Sequence, residues 1–241
     1  MIIEEFNMET LKPDATYLII GANLCGKTTI VRDIILANRH LFGTIGTYIA
    51  STYETDKRII ESDIGQDKVI YLNNPITYME TIKTEIIDAI SASSSTYISI
   101  DNVLLSHKWQ IDPIFKELLT YGEINKTTTI LAFDHVPKIS DDIKDEIRYT
   151  FISNGLEFEE IDEIYDKYIK KLTFSEFLSL YSLLEPYDFI VIENDFSTMK
   201  YHVYNSTSCS LLTSTDRHLT HDKLIRDEDV LSGEIKISIT I

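Results

Sequence analysis

Eight residues carry the densest chemistry in the chain: Gly21, Ala22, Asn23, Leu24, Cys25, Gly26, Lys27 and Thr28. Two glycines bracket four other residues, and a lysine and a hydroxyl follow the second. Such a loop can wrap an anion, because glycine lets successive backbone N–H groups turn inward. A lysine placed there reaches the β- and γ-phosphates of a nucleotide, and the hydroxyl is positioned to hold Mg²⁺. Thr29 continues the run into a segment of helical pattern, whose N-terminal partial charge adds to the attraction for phosphate. Residues 21–29 therefore form a nucleotide site, expected to take ATP with Mg²⁺. Cys25 is read as a small filler within the loop rather than as a reactive thiol.

A magnesium site also needs a carboxylate at the end of a neighbouring strand. The run Tyr97-Ile98-Ser99-Ile100-Asp101 supplies one, so Thr28 and Asp101 are the expected metal residues. Position 102 is Asn, where hydrolysing NTPases of the additional-strand type carry a carboxylate that polarises water. An amide orients water but cannot accept its proton, which leaves the rate of hydrolysis open. Asp134, at the end of "TTTILAFDH", either compensates for Asn102 by placing water or caps a loop. His135 beside it reads as a surface or loop histidine.

These residues need a scaffold, and alternating patterns supply it. Strands are expected at residues 16–20, 47–50 and 69–72, then in "STYISIDNVL", in "TTTILAFDH" and in "YTFIS". Helices are expected at about 27–37, within "TYMETIKTEIIDAIS", at about 113–121 and over about 158–184. Strand–helix alternation implies βαβ units and a mostly parallel sheet with right-handed crossovers. "YDFIVIEND" and "KYHVYN" are expected to pair through a turn near 197–198, and "EIKISITI" to end the chain as a strand. The fold class is α/β: a mostly parallel central sheet flanked by helices, ending in a strand pair. One domain spans 1–205, with a C-terminal extension over 206–241 that either packs on it or binds a partner.

The chain has 241 residues, 44% hydrophobic and 25% charged, which is ordinary for a globular protein. Its formal charge of −17 argues against a general nucleic-acid coat, without excluding a local basic groove. No apolar run approaches the ~18 residues of a membrane span. The acidic pair Glu4-Glu5 does not fit a signal peptide, and two cysteines suit a reducing compartment. A soluble, intracellular protein is expected.

Four segments in this order resemble the A32-type genome-packaging ATPases of large DNA viruses, within the wider family of hexameric DNA translocases. They are "YLIIGANLCGKTTIVRDII", "TYISIDNVL", "TILAFDHVPKISDDIKDEIRYTFIS" and "EPYDFIVIENDFSTMKYHVYN", covering roughly residues 12–205. The resemblance implies a P-loop NTPase fold and an ATP-driven motor that threads double-stranded DNA into a capsid. It also implies a homo-oligomeric ring, capsid or other virion proteins as partners, and host cytoplasm at viral assembly sites as the location. Gly21, Gly26, Lys27 and Thr28 would bind ATP and magnesium, and Asp101 would complete the metal site. Three positions depart from the pattern: Asn102, Asp134 where the family usually has Gln, and Lys144 where it usually has Arg. A ring motor also needs an arginine offered to a neighbour's γ-phosphate. Arg148 is the candidate, against a salt bridge with the acidic residues at 141, 142, 145 and 146.

Two other readings compete. A nucleoside or nucleotide kinase shares the loop and the size, but the arginines are scattered rather than clustered as a lid would need. A nucleotide-binding structural or regulatory module with little turnover is supported by Asn102 and by the acidic surface. Lys138, Lys144, Lys167, Lys170 and Lys171 are candidates for DNA contact, though "DKYIKK" reads equally as a solvated helix face. His218 and His221 have helical spacing for a metal but lack a third ligand nearby.

Overall fold

The computed structural model describes residues 2–37, 47–51, 69–71, 84, 96–101, 116, 119–120, 126–195, 198–206 and 238–240. Asn102, the two His residues at 218 and 221, most of the expected helices near 77–91 and 113–121, and the expected turn residue Ser197 lie outside these.

Ten described strands form one sheet. They are β1 (Ile2–Glu5), β2 (Thr16–Ile20), β3 (Thr47–Ser51), β4 (Val69–Tyr71), β5 (Thr96–Asp101), β6 (Thr127–Phe133), β7 (Ile147–Ser153), β8 (Asp188–Asp195), β9 (Thr198–Asn205) and β10 (Ser238–Thr240). Their spatial order is β10-β1-β9-β8-β7-β2-β6-β5-β3-β4. From β7 to β4 all neighbours run parallel. Strand β8 pairs antiparallel with both β7 and β9. The order places β6 between β2 and β5, so the loop after β2 and the end of β5 are separated by one strand.

Every residue of β2 and β6 is buried, as both-face coverage requires. On one face Leu18, Ile20, Leu131, Phe133 and Ile152 pack with Ile164, Phe177 and Leu180. These last come from α3 (Phe158–Tyr168) and α4 (Phe174–Tyr181). A short helix, α2 (Asp141–Lys144), adds Ile143. On the other face Tyr17, Ile19, Ile130, Ala132 and Phe151 meet Ile30, Val31, Ile34 and Ile35 of α1 (Lys27–Ala37). The sequence therefore alternates between two cores, and the result is a three-layer α/β/α sandwich.

The helical stretch expected over 158–184 is two helices. Thr173 accepts from the Glu176 backbone N–H, and the Glu176 carboxylate takes the Thr173 N–H in return. This capping box starts a new helix and ends any continuation through 169–173. At the far edge, β1 pairs in parallel with β9 through Glu4↔His202, and with β10 through Ile2↔Ser238. The N-terminal strand, which has no counterpart among the expected elements, thus joins the end of the chain to the sheet. Among the described residues no helix is long and apolar enough to cross a membrane.

Phe177 is fully buried between Tyr165 and Tyr181. Phe177→Ala is expected to lower unfolding free energy by about 3–5 kcal/mol, read as a lower urea midpoint with an unchanged slope.

Candidate nucleotide-binding site

The loop begins where β2 ends and is anchored there by the Gly21 N–H, which donates to the Phe133 carbonyl at 3.1 Å. Leu24 has φ 65° and Gly26 φ 102°, so the backbone reverses hand twice within the loop. Alternation of this kind turns N–H groups into one concavity. Helix α1 starts at once, its first-turn bond running from Ile30 N–H to the Gly26 carbonyl at 3.1 Å. No acidic residue occupies its first turn, so nothing there opposes an incoming anion.

Both glycines are required by close approach. A Cβ at Gly21 would lie 2.2 Å from Ser153 Oγ and 2.6 Å from Cys25 Sγ. One at Gly26 would lie 2.8 Å from Ser206 Oγ and 3.3 Å from the Tyr187 ring. The cradle is therefore backed by the ends of β7 and β9 and by the approach to β8, residues that carry no motif of their own. Only the order of strands brings them there. Cys25 is buried in the α1-side core, consistent with a filler.

Lys27 is 8% exposed, and its ammonium donates to the Gly21 and Ala22 carbonyls, each at 2.9 Å. Its charge is met by Asp134, with Nζ to Oδ1 at 2.7 Å. Asp134 is the first residue beyond β6. The Asn23 amide, oriented with its nitrogen toward Asp134, donates to the two carboxylate oxygens at 3.2 and 2.9 Å. Lys27, Asp134 and Asn23 thus form a closed polar cluster at the mouth of the loop. A phosphate entering the loop meets the Asp134 negative charge as well as the lysine.

Asp101 ends β5 in register with Ala132 of β6, while Phe133 of β6 pairs with Ile20 of β2. Its backbone therefore reaches the same sheet edge as the loop, about two strand spacings (roughly 10 Å) from β2. Thr28 and Thr29 sit half-buried in the first turn of α1. The first turn of α1 and the backbone end of β5 thus lie at the same edge of the sheet. Among the described residues no group of three or more His, Cys, Asp or Glu could hold a metal.

Arg148 is not brought to this cluster. It lies at the start of β7, the end of the sheet opposite the loop, where the β2–β7 register slips between Thr16↔Ile147 and Tyr17↔Tyr149. Arg148 is the extra residue of that irregularity. Its guanidinium binds Asp195 at 2.6 Å and Glu193 at 3.4 Å, both on β8. The expected pairing with residues 141, 142, 145 and 146 is corrected accordingly. Asp141, Asp142 and Asp145 already face Lys144, Lys116 and Lys170. The Arg148 guanidinium in turn holds the Asp195 carboxyl below the usual carboxylate range. Of the other lysines considered for DNA, Lys167 pairs with Glu163 on its own helix. His135 is 88% exposed, 3.4 Å from Glu160, as a loop histidine would be.

The interposed β6, the loop after β2 and the helix that follows define a P-loop NTPase fold of the additional-strand arrangement. Known structures agree on that fold. The DNA-packaging ATPase B204 from Sulfolobus Turreted Icosahedral Virus superposes with a TM-score of 0.63 at 14% identity, over 80% of this chain and 98% of that one. The genome-packaging NTPase B204 of Sulfolobus turreted icosahedral virus 2, in complex with AMPPCP, gives 0.60 at 16% identity, over 79% and 98%. EssC (ATPases 2 and 3) from Geobacillus thermodenitrificans gives 0.52 at 12% identity, over 80% of this chain and 40% of that one. At the level of sequence, no family model and no curated protein matches the chain.

Two outcomes are expected from this geometry. Asp134→Asn removes the charge that competes with phosphate, and should tighten binding of metal-free ATP about tenfold by calorimetry. Gly21→Ala should cost about 1–3 kcal/mol in unfolding free energy and weaken ATP binding in the same preparation, because Ser153 and Cys25 must move.

Proposed function

We propose that this chain is an ATPase motor that drives double-stranded viral DNA into a capsid. It would work as a homo-oligomeric ring docked on capsid or other virion proteins. The observation that carries the reading is the glycine loop between β2 and α1 with β6 interposed between β2 and β5. The similarity in fold to two viral packaging NTPases is what suggests DNA as the cargo.

In this reading the N–H groups of residues 21–29 bind the phosphates, and Lys27 moves from Asp134 to the β- and γ-oxygens. Thr28 and Asp101 would hold a Mg²⁺, which would offset the charge of the phosphate oxygens. Asp134, on losing the lysine, would accept a proton from the attacking water, while Asn102 would orient that water by hydrogen bonding. The base that Asn102 cannot be is supplied from the neighbouring strand. Arg148 binds Asp195 and Glu193 within its own subunit, and in a ring it would have to leave them to reach a neighbour's γ-phosphate.

A second reading, a nucleotide-holding module with little turnover, is favoured by Asn102. The Lys27–Asp134 pair also suits it, since phosphate binding must break that contact. Steady-state hydrolysis with and without linear double-stranded DNA separates the two. For the motor, DNA stimulates the wild type, Lys27→Ala lowers turnover at least ~100-fold, and Asp134→Asn lowers kcat similarly despite tighter binding. A wild type that binds ATP without hydrolysing it, but turns over as Asn102→Glu, is the holding module. Turnover that ignores DNA removes the packaging role and leaves an ATPase.

A further inference from the structure

Tyr187 stands in a conformation that its side chain does not favour. Residues Glu185-Pro186-Tyr187-Asp188 form a tight turn closed by the Asp188 N–H donating to the Glu185 carbonyl at 3.0 Å. Proline occupies the second position, and φ at Tyr187 is +74°. This is the pattern of a type II turn, whose third position normally requires Gly or Asn. A bulky residue there is strained, and strain of this kind marks positions held for function.

The turn is built to hold that residue still. The Tyr187 carbonyl accepts from the Ser206 backbone N–H at 3.1 Å and from its hydroxyl at 3.3 Å. Asp188 Oδ2 accepts from the Glu185 N–H at 2.9 Å, and Oδ1 from the Asn205 amide at 2.7 Å. These contacts pin the turn to the end of β9. The tyrosine is nonetheless 44% exposed, one of four large hydrophobic residues so placed among those described. Its ring passes within 3.3 Å of where a Gly26 Cβ would stand, so it lies against the phosphate-binding loop.

Its side of the loop is the informative one. Lys27 points to Asp134 just beyond β6, so a terminal phosphate bound by that lysine would lie on the β6–β5 side. β7 and β8 lie on the other side of β2, and Tyr187 directly precedes β8. A nucleotide with its γ-phosphate toward β6 trails its nucleoside toward that flank.

We propose that Tyr187 is the platform on which the base of the bound nucleotide stacks; this rests on residues 21–29 being a nucleotide site. An aromatic face accepts any base, so the platform adds affinity for purine nucleotides without choosing between adenine and guanine. The strained backbone keeps the ring beside the loop before the ligand arrives, which reduces the ordering needed on binding.

The test compares Kd by calorimetry for ATP, GTP and inorganic tripolyphosphate, using the full chain. Four proteins are compared with the wild type: Tyr187→Ala, Tyr187→Phe, Tyr187→Gly and Lys27→Ala. Tyr187→Gly deletes the ring while accepting the positive φ without steric cost, so it covers the case in which the alanine variant does not fold. Removing the ring is expected to weaken ATP and GTP alike by roughly tenfold, with tripolyphosphate unchanged and Tyr187→Phe close to wild type. Equal loss for tripolyphosphate would mean a damaged loop and would overturn the platform, as would unchanged ATP binding in both ring-less variants. A loss confined to one base, or a phenylalanine variant as weak as alanine, would assign hydrogen bonding instead and also overturn it. Tripolyphosphate binding that Lys27→Ala abolishes keeps the nucleotide site standing whatever Tyr187 does. A wild type that binds none of the three ligands removes the site and the platform together.

Discussion

A lysine ammonium that is 8% exposed has to be surrounded by oxygen, and the architecture around the loop meets that requirement. Two carbonyls of the loop and the Asp134 carboxylate share the charge, and Asn23 holds the carboxylate in turn. The carboxylate can be there only because β6 runs beside β2 with Ala132 and Phe133 in register with Ile19 and Ile20. Breaking a buried pair by removing one partner is costly, typically about 3–5 kcal/mol. The ion pair thus holds the loop in one shape.

The same register explains why polar residues gather where they do. β2 and β6 are buried along their whole length and carry no charged residue, so the charged groups beside them gather at the strand ends. At the carboxyl edge lie the loop, Asp134 and the end of β5. At the other edge the β2–β7 irregularity turns Arg148 toward Asp195 and Glu193, and closes the seam to β8. Farther out, Tyr204 of β9 donates to the buried Asp33 of α1 at 2.7 Å, tying the antiparallel pair to the helix that follows the loop. The strand pair therefore supports the cradle as well as extending the sheet.

Comparison of pattern and fold shows where local information ends. β2 and α1 have the bounds that their apolar spacing predicts, and the strands at 47–51, 69–71, 96–101 and 127–133 lie within a residue or two of expectation. Helix α3 stops early because Thr173 and Glu176 cap a new helix, a signature present in the sequence but weaker than the continuous apolar spacing around it. Strand β1 was not legible. Four residues including an acidic pair have no strand pattern until β9 and β10 offer them hydrogen bonds. Arg148 pairs with Asp195 and Glu193 rather than with acids closer in sequence, because Asp141, Asp142 and Asp145 already face lysines.

By itself the sequence determined the glycine-bracketed loop, the strand before it and the helix after it. Their chemistry lies in consecutive residues, and burial on both faces leaves an unambiguous mark on apolar spacing. It also determined that Asp101 and Asp134 end strands. Only the tertiary structure decided which strand lies between which. Strand order is a property of crossovers and both-face burial, and no local pattern encodes it. That order put Asp134 against Lys27, placed Ser153, Ser206 and Tyr187 behind the glycines, and carried Arg148 to the far end of the sheet.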